Sequence, residues 1–180
     1  WLFMKEKTNF FTDNLKFLHI APEYCFIKLF KGMKNLDYIT GDLISPWADV
    51  KMDVHKIPME DNTFDVVICN HVLEHVDDSH KVMTEFYRVM KPGGWGIFQV
   101  PIDTNNPNTE EDKSVTDPKE RERLYWQDDH LRLFGLDYGK KLAAAGFKVT
   151  ESDFINELDS KLVKRYALPK GEIIYFCEKI

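Results

Sequence analysis

Short apolar runs alternate with polar, turn-forming stretches along most of this chain, and the apolar spacing switches between strand and helix repeats. Residues 16–21 form a compact apolar run that predicts a buried strand. Residues 23–33 predict a helix, with Phe26, Leu29 and Phe30 on one face and Gly32 near its end. A second strand is expected over 36–40, and a third apolar, β-branched run over 66–69. Residues 77–90 read as a helix. Asp77, Asp78 and Ser79 favour its start, Val82, Phe86, Val89 and Met90 form its stripe, and Lys91-Pro92-Gly93-Gly94 stops it. A strand over 95–100, a helix over 136–145 closed by Gly146, and strands over 147–150 and 173–177 complete the series. Residues 1–15 read as a helical lead-in.

Strands alternating with helices predict an α/β domain with a mainly parallel sheet, helices on both faces, and ligands beyond the carboxyl ends of the strands. Residues 102–130 break the pattern. Nine acidic and four basic side chains lie between Asp103 and Asp129, with little apolar periodicity. Such a loop predicts a lid or substrate loop, with Leu124, Tyr125 and Trp126 placed to pack over a site.

Composition narrows the picture. The chain has 180 residues, enough for one domain, and it does not begin with Met, which suggests a piece of a longer chain. A formal net charge of -6 argues against nucleic acid as the main partner. Cys25, Cys69 and Cys177 are isolated and read as buried reduced thiols. No zinc-binding cysteine pair, signal peptide or membrane-spanning run is evident, so a cytoplasmic enzyme without a metal is the expectation.

The residues at the strand ends carry the chemistry. In order they are His19-Ile20-Ala21-Pro22-Glu23, Gly41-Asp42-Leu43, Lys51-Met52-Asp53-Val54, Ile57-Pro58-Met59-Glu60-Asp61-Asn62, and the long stretch from Phe64-Asp65-Val66-Val67 to Asn70-His71-Val72-Leu73-Glu74-His75. Arg88-Val89-Met90-Lys91-Pro92-Gly93-Gly94 and Ala145-Gly146-Phe147 follow. This ordered series resembles the class I, Rossmann-like methyltransferases, especially their small-molecule group, over about residues 16–101 and again near 130–150. The resemblance implies a three-layer sheet, mostly parallel with an antiparallel last strand. It also implies S-adenosylmethionine as cofactor, S-adenosylhomocysteine as product and a small-molecule acceptor.

It further implies roles for single residues. Asp42, with Leu43 beside it, stands where the family's carboxylate accepts from the ribose hydroxyls, against a turn-forming role after Gly41. Asp53 and the Val54 N–H stand opposite the adenine. Asn70 and His71 end the strand that walls the methionine part, and Asp65 orders the turn before that strand. His130, His71 and His75 are candidate bases, His130 foremost; His75 and Arg132 are candidate substrate contacts, Arg132 for a carboxylate or phosphate.

Two departures from the family pattern stand out. Too few residues separate Asp42 from Asp53 for the usual crossover helix, so a shortened region and a vestigial third strand are expected, with Trp47 plugging the exposed core or touching adenine. The glycine-rich first loop is replaced, with Ala21 and Glu23 where two glycines belong. Glu23 there would repel a cofactor carboxylate or accept from its ammonium group. A non-catalytic binding protein on the same fold is the competing reading. A remoter one is a zinc peptidase using His71-x-x-Glu74-His75 on a helix.

Overall fold

The computed structural model describes all 180 residues. Its elements are α1 (Leu2–Lys7), β1 (Leu15–Ile20), α2 (Tyr24–Lys31), β2 (Leu36–Asp42), β3 (Val50–Lys51), β4 (Phe64–Asn70), α3 (Ser79–Val89), β5 (Met90–Gln99), α4 (Pro118–Tyr125), α5 (Tyr138–Ala144), β6 (Lys148–Ser152), α6 (Ser160–Arg165) and β7 (Ile174–Glu178). Seven strands form one sheet in the order β3-β2-β1-β4-β5-β7-β6. The first five are parallel, and β7 runs antiparallel to both β5 and β6.

Side-chain alternation along the central strands divides the interior in two. Phe17, Val66 and Ile68 point into an aromatic layer with Phe3, Phe10 and Phe30, beneath α1 and α2. Leu18, Val67 and Cys69 point into the larger opposite layer, where α3 and α5 supply Val82, Phe86, Tyr138 and Leu142. The result is the three-layer arrangement that the sequence pattern predicts, since a strand buried on both faces must be apolar throughout.

Local signals explain most boundaries. The Asp78 side chain accepts from the Lys81 N–H and starts α3. Lys91-Pro92-Gly93-Gly94 does end that helix, but it bulges within β5: Phe64 pairs with Met90, Val66 already pairs with Trp95, and Gly93 takes φ +78. Asp65 holds its turn by accepting from the Lys16 N–H and the Lys91 ammonium.

The β2–β3 connection is as short as expected. β3 has two residues at the sheet edge, and Asp49 stands in for a crossover helix by accepting from the Thr40 N–H and hydroxyl. Trp47 is no plug: it is exposed and meets only the edge of Tyr24. Cys25 is likewise exposed on α2, whereas Cys69 and Cys177 are buried as expected.

Residues 102–130 differ most from expectation. A bridge joins Ile102 to Phe134 and another joins Glu110 to Leu133. Asp117 caps α4, and buried Tyr125 accepts from the Asp112 N–H through its hydroxyl. Trp126 is exposed at φ +72. Polar side chains spent on caps and turns hide this order from a hydrophobic pattern.

Candidate active site

The carboxyl ends of β1, β2 and β4 surround a cleft of about 400 Å³. Ala21, Asp42, Leu43, Asp53 and Val54 line it, as do Val72 and His75 from beyond β4. Six of the residues singled out from sequence therefore converge on one cavity.

The backbone just beyond β1 and β4 is special at two points. Ala21 takes φ +46 and His71 takes φ +55, left-handed conformations that cost a non-glycine residue about 1–2 kcal/mol. Ala21 thus makes a left-handed bend after β1 without a glycine. The Ala21 N–H donates to the Gly41 carbonyl, which fastens the loop to β2.

Asp42 divides its carboxylate. Oδ1 accepts from the N–H groups of Ile44 and Ser45, which builds the turn after β2, and Oδ2 has no partner within the chain. Asp53 behaves similarly: Oδ1 accepts from the His55 N–H and meets His55 Nδ1 at 2.7 Å. Those bonds hold its pKa below the ordinary carboxylate value. His55, which lines the same cleft, escaped the sequence reading; its only signal was a histidine two residues after Asp53. The Val54 N–H donates to nothing in the chain.

Glu23 bridges β1 and β4. Its Oε2 meets His19 Nε2 at 2.7 Å, and its Oε1 accepts from Asn70 Nδ2 at 2.8 Å. Burial pushes the Glu23 carboxyl up, but the bonds from His19 and Asn70 outweigh it and bring the pKa down to about 2. A carboxylate only accepts, so the Asn70 amide must turn its NH₂ toward Glu23. That leaves Asn70 Oδ1 buried without a donor. Beside this pair lies a smaller cavity of about 190 Å³, walled by Trp1 and Phe3. A second polar cavity of about 330 Å³ opens at the ends of β4 and β5, with His71, Gln99, Ile102, Thr104 and Tyr175 in its wall.

Other candidates lie elsewhere. Arg132 is neither a substrate anchor in the cleft nor a surface ion pair. It is 1% exposed, and its five N–H groups go to Glu111 and to the carbonyls of Leu73, Val76 and Asp77. It staples the loop after β4. His130 is buried too, with Nδ1 on the Tyr125 carbonyl at 2.7 Å, and it sits edge-on to His75 rather than in the cleft. His71 is exposed, and the Glu74 carboxylate 3.3 Å from its Nδ1 raises its pKa against the opposing effect of burial.

The peptidase reading loses its helix. Residues 71–77 form turns, and α3 begins only at Ser79, so His71 and His75 are not paired on one helical face. Arg88 has a purely bracing role. It binds Glu85, Asp61 and the carbonyls of Ile57 and Met59, which fixes the loop before β4 on α3.

Residues 32–98 match the family described as "Methyltransferase domain". Over that stretch the chain resembles a methyltransferase domain, and its fold matches that of solved methyltransferases. Over 152 residues, 83% of its length, it is 30% identical to the sterol 24-C-methyltransferase of Saccharomyces cerevisiae, covering 36% of that protein. Over 55 residues, 31% of its length, it is 50% identical to the ubiquinone/menaquinone biosynthesis C-methyltransferase UbiE of Desulfotalea psychrophila, covering 21% of it. The chain thus spans well under half of these relatives. Among solved structures, the 1,6-didemethyltoxoflavin-N1-methyltransferase of Burkholderia thailandensis superposes with a TM-score of 0.63 at 14% identity, covering 93% of this chain and 72% of that one. That neighbour holds S-adenosylhomocysteine. No helix of the domain is long and apolar enough to cross a membrane.

Proposed function

We propose that the protein transfers a methyl group from S-adenosylmethionine to a small-molecule acceptor, with the cofactor held across the ends of β1, β2 and β4. The observation that carries this reading is the buried, donorless Oδ1 of Asn70 beside the anionic Glu23. An unpaired buried acceptor costs stability unless a donor fills the place, and an ammonium group supplies both the donor and the opposite charge.

The remaining contacts follow the same logic. Asp42 Oδ2 accepts from the ribose hydroxyls, while Oδ1 keeps the turn. Leu43 packs beside the sugar. The Val54 N–H and the free oxygen of Asp53 face the adenine. The replaced first loop keeps its bend at Ala21, and Glu23 takes the ammonium that a glycine loop leaves to other groups.

When bound, S-adenosylmethionine supplies a methyl carbon activated by its sulfonium. The chain supplies position and exclusion of water. The cavity beside His71 receives the acceptor, between β4 and β5. His71 in its wall is the base, and Glu74 raises its pKa, which strengthens the neutral ring as a proton acceptor. The sterol and quinone relatives point to a small organic acceptor.

Calorimetric titration with S-adenosylhomocysteine tests the reading. Saturable, equimolar binding with a rise in melting temperature is expected. Neither heat nor stabilisation at high micromolar ligand would sink it, and binding without turnover on any small-molecule panel would favour a non-catalytic binding protein.

A further inference from the structure

We propose that Glu74, His75 and His130 form a binding site for one divalent transition-metal ion at the edge of the cofactor cleft. One carboxylate oxygen and one nitrogen from each ring lie within 4.8 Å of one another. Small side-chain rotations close that spacing around a metal at about 2.1 Å from each atom. A carboxylate with two imidazoles is a donor set for zinc, manganese, iron or cobalt rather than for calcium or magnesium.

The second observation is the state of Glu74. Its side chain is 1% exposed, and neither oxygen has a hydrogen-bond partner. His71 Nδ1 comes to 3.3 Å of Oε1 without the alignment of a hydrogen bond. A buried carboxylate with only an exposed imidazole beside it costs several kcal/mol in order of magnitude, unless that imidazole is protonated, a metal cation binds or the carboxylate takes up a proton.

The surroundings aim the ligands. His130 turns Nδ1 to the Tyr125 carbonyl at 2.7 Å; a carbonyl only accepts, so Nδ1 carries the hydrogen and Nε2 the lone pair. His75 turns Nδ1 toward Asp129 Oδ2 at 3.3 Å, the carboxylate–histidine pairing that commonly orients metal-bound imidazoles. The two segments are stitched together, not merely adjacent. Leu131 N–H donates to the Glu74 carbonyl, and Arg132 donates to the carbonyls of Leu73, Val76 and Asp77. His130 is thereby held against Glu74 and His75 across a sequence gap of more than fifty residues.

The site's place gives it a use. His75 lines the cofactor cleft, and Glu74 touches His71, which walls the second cavity. A cation there can bind an oxygen of a ligand near both cavities. Metal binding stands independently of methyl transfer, and separate titrations with metal and with S-adenosylhomocysteine keep the two failures distinct.

The test uses the full chain, stripped with a chelator and titrated with Co²⁺, Mn²⁺ and Zn²⁺. One equivalent is expected to bind, to raise the melting temperature, and to give Co²⁺ the visible absorption of a low-coordinate nitrogen–oxygen site. Glu74→Gln is isosteric and removes a buried carboxylate that makes no hydrogen bond, so the metal-free variant should melt about as high as the parent. Its metal affinity should fall about 100-fold or more, beyond what loss of an outer partner costs. His75→Ala, at a part-exposed position, should fall similarly. An aqueous-type cobalt spectrum with no thermal shift in the parent overturns the proposal. So does equal affinity in the parent and either folded variant.

Discussion

Asn70 Nδ2 donates to Glu23 Oε1 at 2.8 Å, which ties the end of β4 to the loop after β1, forty-seven residues away in sequence. The same carboxylate meets His19 on the other side. The loop after β1 is therefore closed by a polar bridge.

That bridge makes stability depend on acid pH. The Glu23 pKa is about 2 in the folded chain and 4.5 for an unperturbed glutamate. Because the folded value is depressed, the stabilisation is complete above 4.5 and is lost as pH falls through 4.5 toward 2. Glu23→Gln should flatten this part of the profile. Melting temperatures measured between pH 6 and 2, in steps of about half a unit, compare the two slopes directly; parallel curves would remove Glu23 from the account.

Arg132 is a structural staple, so its loss should act on folding first. Arg132→Ala leaves Glu111 without its partner and three carbonyls without a donor. The expected destabilisation is about 3–5 kcal/mol in urea unfolding, whereas Glu111→Gln, at a part-exposed acid, should cost much less. Full stability in Arg132→Ala would contradict the buried network.

At Ala21 the backbone already bends into the left-handed region. Ala21→Gly should relieve that strain and stabilise the fold by up to about 1 kcal/mol, offset in part by glycine's entropy in the unfolded chain. Chemical denaturation measures it; a loss of more than about 1 kcal/mol would mean the Ala21 methyl group matters more for packing than the bend does.

Asp42 has two separable duties. Asp42→Asn keeps an acceptor for the Ile44 and Ser45 N–H groups, so the fold should hold, while S-adenosylhomocysteine affinity should drop about tenfold or more. Asp42→Ala should lose both affinity and turn stability. Unchanged affinity in the asparagine variant would assign this residue to the turn alone.

Much of this was legible in the chain. Apolar strands that bury both faces, Asp78 before α3, and the Lys-Pro-Gly-Gly break all carry local signals, and each strand core lies where the pattern predicts. The strap over 102–130 was not legible, because its order comes from Asp117, Tyr125 and two isolated bridges instead of an apolar period. His130 and Arg132 were marked as chemically important, yet their surroundings lay nearly sixty residues away at the loop after β4.

The sequence by itself determined the alternation of elements, the shortened β2–β3 link and the cleft acids Asp42 and Asp53, since each depends on neighbours along the chain. Only the tertiary structure decided that Glu23 is bound by His19 and Asn70, that Arg132 is buried, and that Glu74 lies without a hydrogen bond beside His75 and His130. Those facts rest on desolvation and on hydrogen-bond geometry between distant segments, and neither quantity exists until the chain has folded.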